Sequence, residues 1–405
     1  MSRDTSFIDT LAKEGHTILA EALRKTAHMT PHAYSAEIWT YRPKHPIDPF
    51  LKKALMDEYT LLGYDTSVCS VLLDHLETYR TLQTSAHTEI ASPSRRFCID
   101  WISTSALNQS TPYIIGAFSG VPFSNKSKPG RFTWADSVYN LIDKKKQDAL
   151  VYNTHISEDM YKKYASLDES LRALIAPPRI GDLFSLWASN VSSSLLSKSL
   201  ERSVYVFDIN RVATHYILSV IDDAHHPVTQ LLLDPHVTER VLAVFGNNTH
   251  LFYTSYETGK YSKQENVYYM DGYGFAGDHQ QFPQDKNILV RELKNGNLCP
   301  GTLLVFTIFA FLNEFQCLGS FVQVEYLTRF KHMWQELDML GVPIEHIPTN
   351  TLTTGMFPHA PHIASLDIAT DRVSLSNIIN PDHTLLDYYL PIWQNGNYYT
   401  NKQTS

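Results

Sequence analysis

The run Leu303-Leu-Val-Phe-Thr-Ile-Phe-Ala-Phe-Leu312 constrains the fold more than any other stretch. It is ten residues long, against the ~20 needed to cross a bilayer. Asn313-Glu314 closes it with polar groups, so the rest of the chain has to bury it as a core helix. The composition allows such a core. Of 405 residues, 43% are hydrophobic and 19% charged, the latter below the ~25% usual for soluble domains. The 23 Tyr and 19 Phe suit a large interior, or clefts and contacts lined by rings. At ~150 residues per domain the length allows two or three domains, or one elaborate one.

Downstream, Leu303 to Leu340 reads as the longest helical region, interrupted at Gly319. Val322, Tyr326, Phe330, Met333, Trp334, Leu337 and Leu340 form its buried stripe, opposite Thr328, Lys331 and Gln335. At the other end of the chain, Phe7, Ile8, Leu11, Ile18, Leu19, Ala22 and Leu23 recur at helical spacing. Further helices are expected over Phe50–Leu62, Ser67–Gln83, Asp136–Ala176, Asn210–Ile221 and Asp234–Gly246. The last opens with Asp at the cap and Pro at the first helical position. Strands are expected at Ala36–Tyr41, Phe97–Ile102, Tyr113–Phe118 and Val204–Phe207. A hairpin joins Thr249–Tyr256 to Glu265–Met270 around Glu257-Thr-Gly-Lys260.

The predicted class is mixed α and β, helix-rich, either α+β or α/β, in one large domain or two closely packed subdomains. Pro177-Pro178 is the natural boundary. It divides residues 1–178 from 179–390, with a polar tail over 391–405.

A net charge of −8 gives no support to nucleic-acid binding, and Lys144-Lys145-Lys146, flanked by Asp143 and Asp148, reads as a solvated face. No stretch reads as a signal peptide or a membrane span. Cys69, Cys98, Cys299 and Cys317 stand far apart with no C-x-x-C spacing, as in a reducing compartment. The expected location is cytoplasmic.

Two stretches could carry chemistry. The loop Ser119–Arg131 follows a predicted strand and precedes a predicted helix. Its small residues let backbone amides approach a ligand, and Ser124, Asn125, Lys126, Lys128 and Arg131 supply donors for a phosphate or carboxylate. It lacks the P-loop spacing. The second stretch crowds Asp208, His215, Asp222, Asp223, His225, His226, Asp234 and His236 together. Histidine beside carboxylate can move protons or hold a divalent metal, although no zincin or facial-triad spacing is present.

Three further features read as structural. Asp271-Gly-Tyr-Gly-Phe-Ala-Gly277 contains a literal G-x-G-x-x-G, but Asp278-His-Gln-Gln-Phe-Pro283 is a poor helix start, so a turn is expected instead. Asn313, Gln316, Ser320 and Gln323 form a polar stripe, read as the solvent edge of a core helix. The sharper alternative makes the stripe the lining of a polar cavity, with Glu314 as a carboxylate of raised pKa. Phe357-Pro-His-Ala-Pro-His362 reads as a loop.

The leading expectation is a cytosolic enzyme acting on a small polar, anionic metabolite. The loop would hold the anion, and Asp222, Asp223, His225 and His226 would do the acid–base work, with His225 or His226 as base and Asp223 orienting it. The rival is a non-catalytic binding or interaction protein with an aromatic contact surface. Neither cofactor, metal nor oligomeric state is indicated.

Overall fold

In the computed structural model, residues 6–135, 137–246 and 249–394 are described. Helices α1 (Ser6–Lys13), α2 (Thr17–Thr26), α3 (Pro31–Ile38), α4 (Pro49–Leu61) and α5 (Thr66–Tyr79) precede the first strand. The expected first helix is two, parted at Gly15, whose φ of 92° lies in the left-handed region. The strand expected at Ala36–Tyr41 is instead the end of α3. Thr30 accepts the Ala33 amide and Pro31 takes the first helical position, which starts a helix just upstream. The helix expected to Gln83 stops at Tyr79, where Arg80 turns left-handed and β1 (Thr81–Gln83) begins.

Next come α6 (Ser94–Thr104) and β2 (Tyr113–Ala117). The strand expected at Phe97–Ile102 is the middle of α6, which is buried almost all round. An apolar run of that length carries no periodicity to separate a buried strand from a buried helix. The hairpin of β3 (Arg131–Trp134) and β4 (Ser137–Asn140) occupies the start of the expected 136–176 helix, Asp136 itself lying outside the described residues. Helical structure there is limited to two single turns and the short α7 (Glu158–Ala165) and α8 (Glu169–Leu174). Then follow α9 (Phe184–Leu200), β5 (Val204–Asp208), α10 (Ile209–Val220), α11 (Pro227–Leu233) and α12 (Pro235–Phe245). Asp208, two residues before the expected Asn210, caps α10, and Asp234 caps α12 as expected.

The expected hairpin is β6 (His250–Thr258) and β7 (Tyr261–Met270). Together with β8 (Gly274–Ala276), β9 (Gln281–Phe282) and β10 (Cys299–Pro300) it makes an antiparallel sheet in the order β10-β6-β7-β8-β9, and α13 (Lys286–Lys294) connects β9 to β10. α14 (Thr302–Phe306) opens the apolar run, which continues as a π-helical turn over Thr307–Leu312. β11 (Gln316–Leu318) and α15 (Phe321–Leu337) follow, so the long helix is broken by a strand that ends at the residue before Gly319, where the interruption was expected. α16 (Ser365–Ala369) and α17 (Leu385–Gln394) complete the chain, and most of the expected tail lies outside the described residues.

β11, β1, β2 and β5 form a parallel sheet in that order, drawing two strands from each side of Pro177. Its two faces meet different cores. Leu82, Ile114 and Phe207 pack with Leu51 and Leu55 of α4, Leu72 and Leu76 of α5, and Val212 and Tyr216 of α10. Tyr113, Ile115, Ala117, Val204 and Val206 pack with Phe97, Cys98 and Ile102 of α6 and with Leu196 and Leu200 of α9. The first core takes in Leu303 to Phe311, the run that had to be buried. Among the described residues no helix is long and apolar enough to cross a membrane.

Candidate functional site

The chain steps from β1 to β2 to β5 and then returns to the far side of β1 as β11. Open parallel sheets of this kind bind ligands at the carboxyl ends of their strands. At that edge the carboxylate of Asp208, the last residue of β5, is fully buried. Its Oδ1 accepts the amides of Asn210 and Arg211 at 3.1 and 3.3 Å, and the Ser119 hydroxyl at 2.7 Å. Asn210 Oδ1 accepts the Ser119 and Gly120 amides, while its Nδ2 donates to the Pro300 carbonyl. A Cβ on Gly120 would sit 2.9 Å from Asn210 Nδ2 and 3.1 Å from the Tyr253 ring, so a side chain here would have to displace the Asn210 amide.

Arg211, in the first turn of α10, is buried on a scaffold of anions. Its Nε donates to Glu58 Oε2 at 2.6 Å, and its Nη2 lies 3.1–3.3 Å from Glu58 Oε1, Ser185 Oγ and Asp208 Oδ2. Nη1 takes part in none of these contacts. Burial works against the charge of Arg211, but Glu58 and Asp208 outweigh it and hold its pKa up. Burial likewise pushes the Glu58 carboxyl up, against the pull of Arg211.

Beside this group lies a cavity of about 560 Å³, within the ~300–1,000 Å³ range of metabolite pockets. Arg211, Thr214 and His215 of α10 line it with Tyr152, whose hydroxyl is 2.7 Å from Thr214 Oγ1. Leu218 and Leu293 add apolar wall, and Lys294, Asn295 and Asn297 form a polar rim. His215 follows Arg211 by one helical turn, so both take the same face of α10. Burial and then the neighbouring Arg211 lower its pKa, and its Nδ1 is buried without a partner. The arrangement can orient an anionic group on a cation and offer it a neutral imidazole.

The sequence-predicted residues lie elsewhere. The loop 119–131 leaves the carboxyl end of β2 but runs into β3, not into a helix. Ser124, Lys126, Lys128 and Arg131 are exposed. Asn125 Oδ1 is occupied by Ser127, accepting its amide and hydroxyl, and Lys128 Nζ donates to the Ser124 carbonyl. Ser124, Lys128 and Arg131 line a recess of about 80 Å³, room for a few waters.

Asp222, Asp223, His225 and His226 follow the far end of α10. Its 12 residues carry the chain about 18 Å from Asp208, at 1.5 Å per residue. Asp222 pairs with Lys286, and Asp223 Oδ1 accepts the His225 amide at 2.9 Å in an exposed turn. His226 caps α11, its Nδ1 accepting the Val228 amide at 3.2 Å. That leaves the ring proton on Nε2, 3.1 Å from Tyr216 Oη, which donates in turn to Asp48 Oδ2. The structure thus sets Ser119 and Gly120, where the loop begins, at the head of α10, and Asp222 to His226 beyond its far end.

The polar stripe is not a solvent edge. Asn313, Gln316 and Gln323 are buried, and each is bonded within the fold, to Ile308, Thr351 and Thr84. Glu314 is buried too, with a pKa lowered, not raised: burial pushes it up, but His45, the Lys44 amide and His346 prevail. The G-x-G-x-x-G stretch forms a turn and β8, and the next element is the strand β9, not a helix. Among the described residues no three His, Cys, Asp or Glu are grouped to hold a metal ion.

Sequence reasoning passed over Glu58, Tyr152 and Arg211. Arg211 follows the cap residue Asp208 by three, a spacing that returns its side chain to the strand end; Glu58 and Tyr152 reach the site only through tertiary packing. No protein-family model matches the chain, and no curated protein matches it.

Proposed function

We propose that the protein is an enzyme acting on a small polar, anionic metabolite, bound in the cavity at the head of α10, by His/carboxylate acid–base chemistry. The observation that carries this reading is the pair Arg211 and His215, one turn apart on α10, on the wall of a cavity of about 560 Å³. Glu58 and Asp208 hold the guanidinium rigid, with Nη1 left for the ligand's anionic group. His215, neutral at pH 7 because its pKa is lowered, serves as the proton acceptor. We place the protein in the cytoplasm, since all four cysteines are buried and unpaired.

The test starts with thermal unfolding against hydroxy acids, amino acids, dicarboxylates and sugar acids. A binder at about 100 times its Kd adds roughly 2.7 kcal/mol. Turnover of that binder is then followed with the wild type and with His215→Asn. Loss of about 10²-fold or more in rate with binding retained fits a general base. Binding without turnover in the wild type would favour the rival, a non-catalytic binding protein.

A further inference from the structure

We propose that the loop joining β1 to α6 is a second ligand site, which holds a phosphoryl group on Arg95, Ser94 and the free amides at the head of α6. The loop leaves β1 beside β11, the pair of neighbours at which the strand order reverses. That crevice is the favoured ligand position of an open parallel sheet. α6 is 11 residues long and starts without a side-chain cap, its N-cap residue being Pro93. The first of its amides with a backbone partner is Phe97, to the Pro93 carbonyl at 2.9 Å. The three before it are the donors a helix N-terminus offers to an anion.

Independent observations at the same place also point to a ligand. Ser94 Oγ, Glu89 Oε1 and Thr88 Oγ1 are buried without hydrogen-bond partners, on residues 8%, 6% and 1% exposed. Buried polar atoms are ordinarily paired, so an orphan hydroxyl on the first residue of an uncapped helix, with two more orphans in the loop that leads into it, points to atoms supplied from outside the chain. Arg95 is partly buried, and among the described residues its side chain makes no hydrogen bond or ion pair. Arg96, by contrast, is committed to Ser85 Oγ at 2.7 Å and Asp100 Oδ1 at 2.8 Å.

Guanidinium, two hydroxyls and successive amides outnumber the acceptors of a carboxylate and match the several oxygens of a phosphoryl group. Burial lifts Glu89 to about 8, so near neutral pH it keeps its proton and donates to the anion. Gln83 braces the loop from behind: its Oε1 accepts from the Ser85 amide and hydroxyl, and its Nε2 donates to Ser103 and Thr353.

The experiment is calorimetric and thermal-shift titration of inorganic phosphate into the full chain, at constant ionic strength set by chloride. Phosphate is expected to raise the Tm, and Arg95→Gln and Ser94→Ala each to weaken its binding about tenfold or more. Arg95→Gln should leave the phosphate-free Tm unchanged, because its side chain has no partner in the fold to lose. Leu218→Trp, which fills the cavity at α10, should leave the phosphate response intact, and this separates the two sites. The proposal is overturned if phosphate has no effect, if both variants respond as the wild type does, or if succinate matches phosphate.

Discussion

Glu58 of α4 accepts Arg211 Nε of α10 at 2.6 Å and, with Asp208 and Ser185, fixes the guanidinium at the carboxyl edge of the parallel sheet. Both side chains are buried, so neither partner can be removed without leaving a charge in the core. Glu58→Ala is expected to cost about 3–5 kcal/mol, the usual penalty for breaking a buried pair. The apolar double variant Glu58→Met/Arg211→Leu should recover only part of that, because Asp208 loses its buried cation. Urea unfolding measures both, and a single-variant loss below about 1 kcal/mol would show that the pair does not anchor the site.

His226 is a helix cap in this fold. His226→Ala is expected to destabilise by about 1 kcal/mol, in the range of lost N-caps, with His226→Asn restoring most of it. Ligand binding in the cavity at α10 should be unchanged in both. Abolished binding or turnover with stability intact would return His226 to the role of a base.

The buried histidines set the acid limb of stability. Burial lowers His75 to about 4, and burial with Arg96 lowers His87 to about 4. In the unfolded chain each titrates near ~6.5, so between those values the unfolded state binds more protons. Stability is therefore intact above pH 6.5 and falls as the pH drops toward 4, by up to about 1.4 kcal/mol per pH unit for each histidine. His75→Phe should flatten that limb when unfolding midpoints are followed against pH. An unchanged slope would mean that His75 is not held neutral by the fold.

Much of the fold was legible where chemistry is local. Asp234-Pro235 starts a helix by capping alone, and the alternation either side of Gly259 makes a hairpin whatever surrounds it. Phe97–Ile102 was not legible, because a helix buried on all sides loses the periodicity that identifies it. The site was half legible. Crowded histidines and carboxylates drew attention to the stretch from Asp208 to His236, and Asp208 and His215 do stand at the strand end and the cavity. The helix over Asn210–Ile221 was expected and is α10, whose length separates Asp208 from Asp222; the role of His226 as the cap of the next helix was not foreseen. Glu58 and Tyr152 carry no local sign at all, since packing alone brings them to Arg211 and Thr214.

The most direct test of the central claim fills the cavity. Leu218 lies on its wall, one turn beyond Thr214, and Leu218→Trp places a large ring in the space while leaving Arg211, Glu58 and Asp208 in place. Calorimetric titration of the anionic binder into this variant should show affinity reduced about a hundredfold or more, with an unfolding midpoint close to the wild type. Affinity equal to the wild type would place the ligand elsewhere and contradict the assignment of the site to the head of α10.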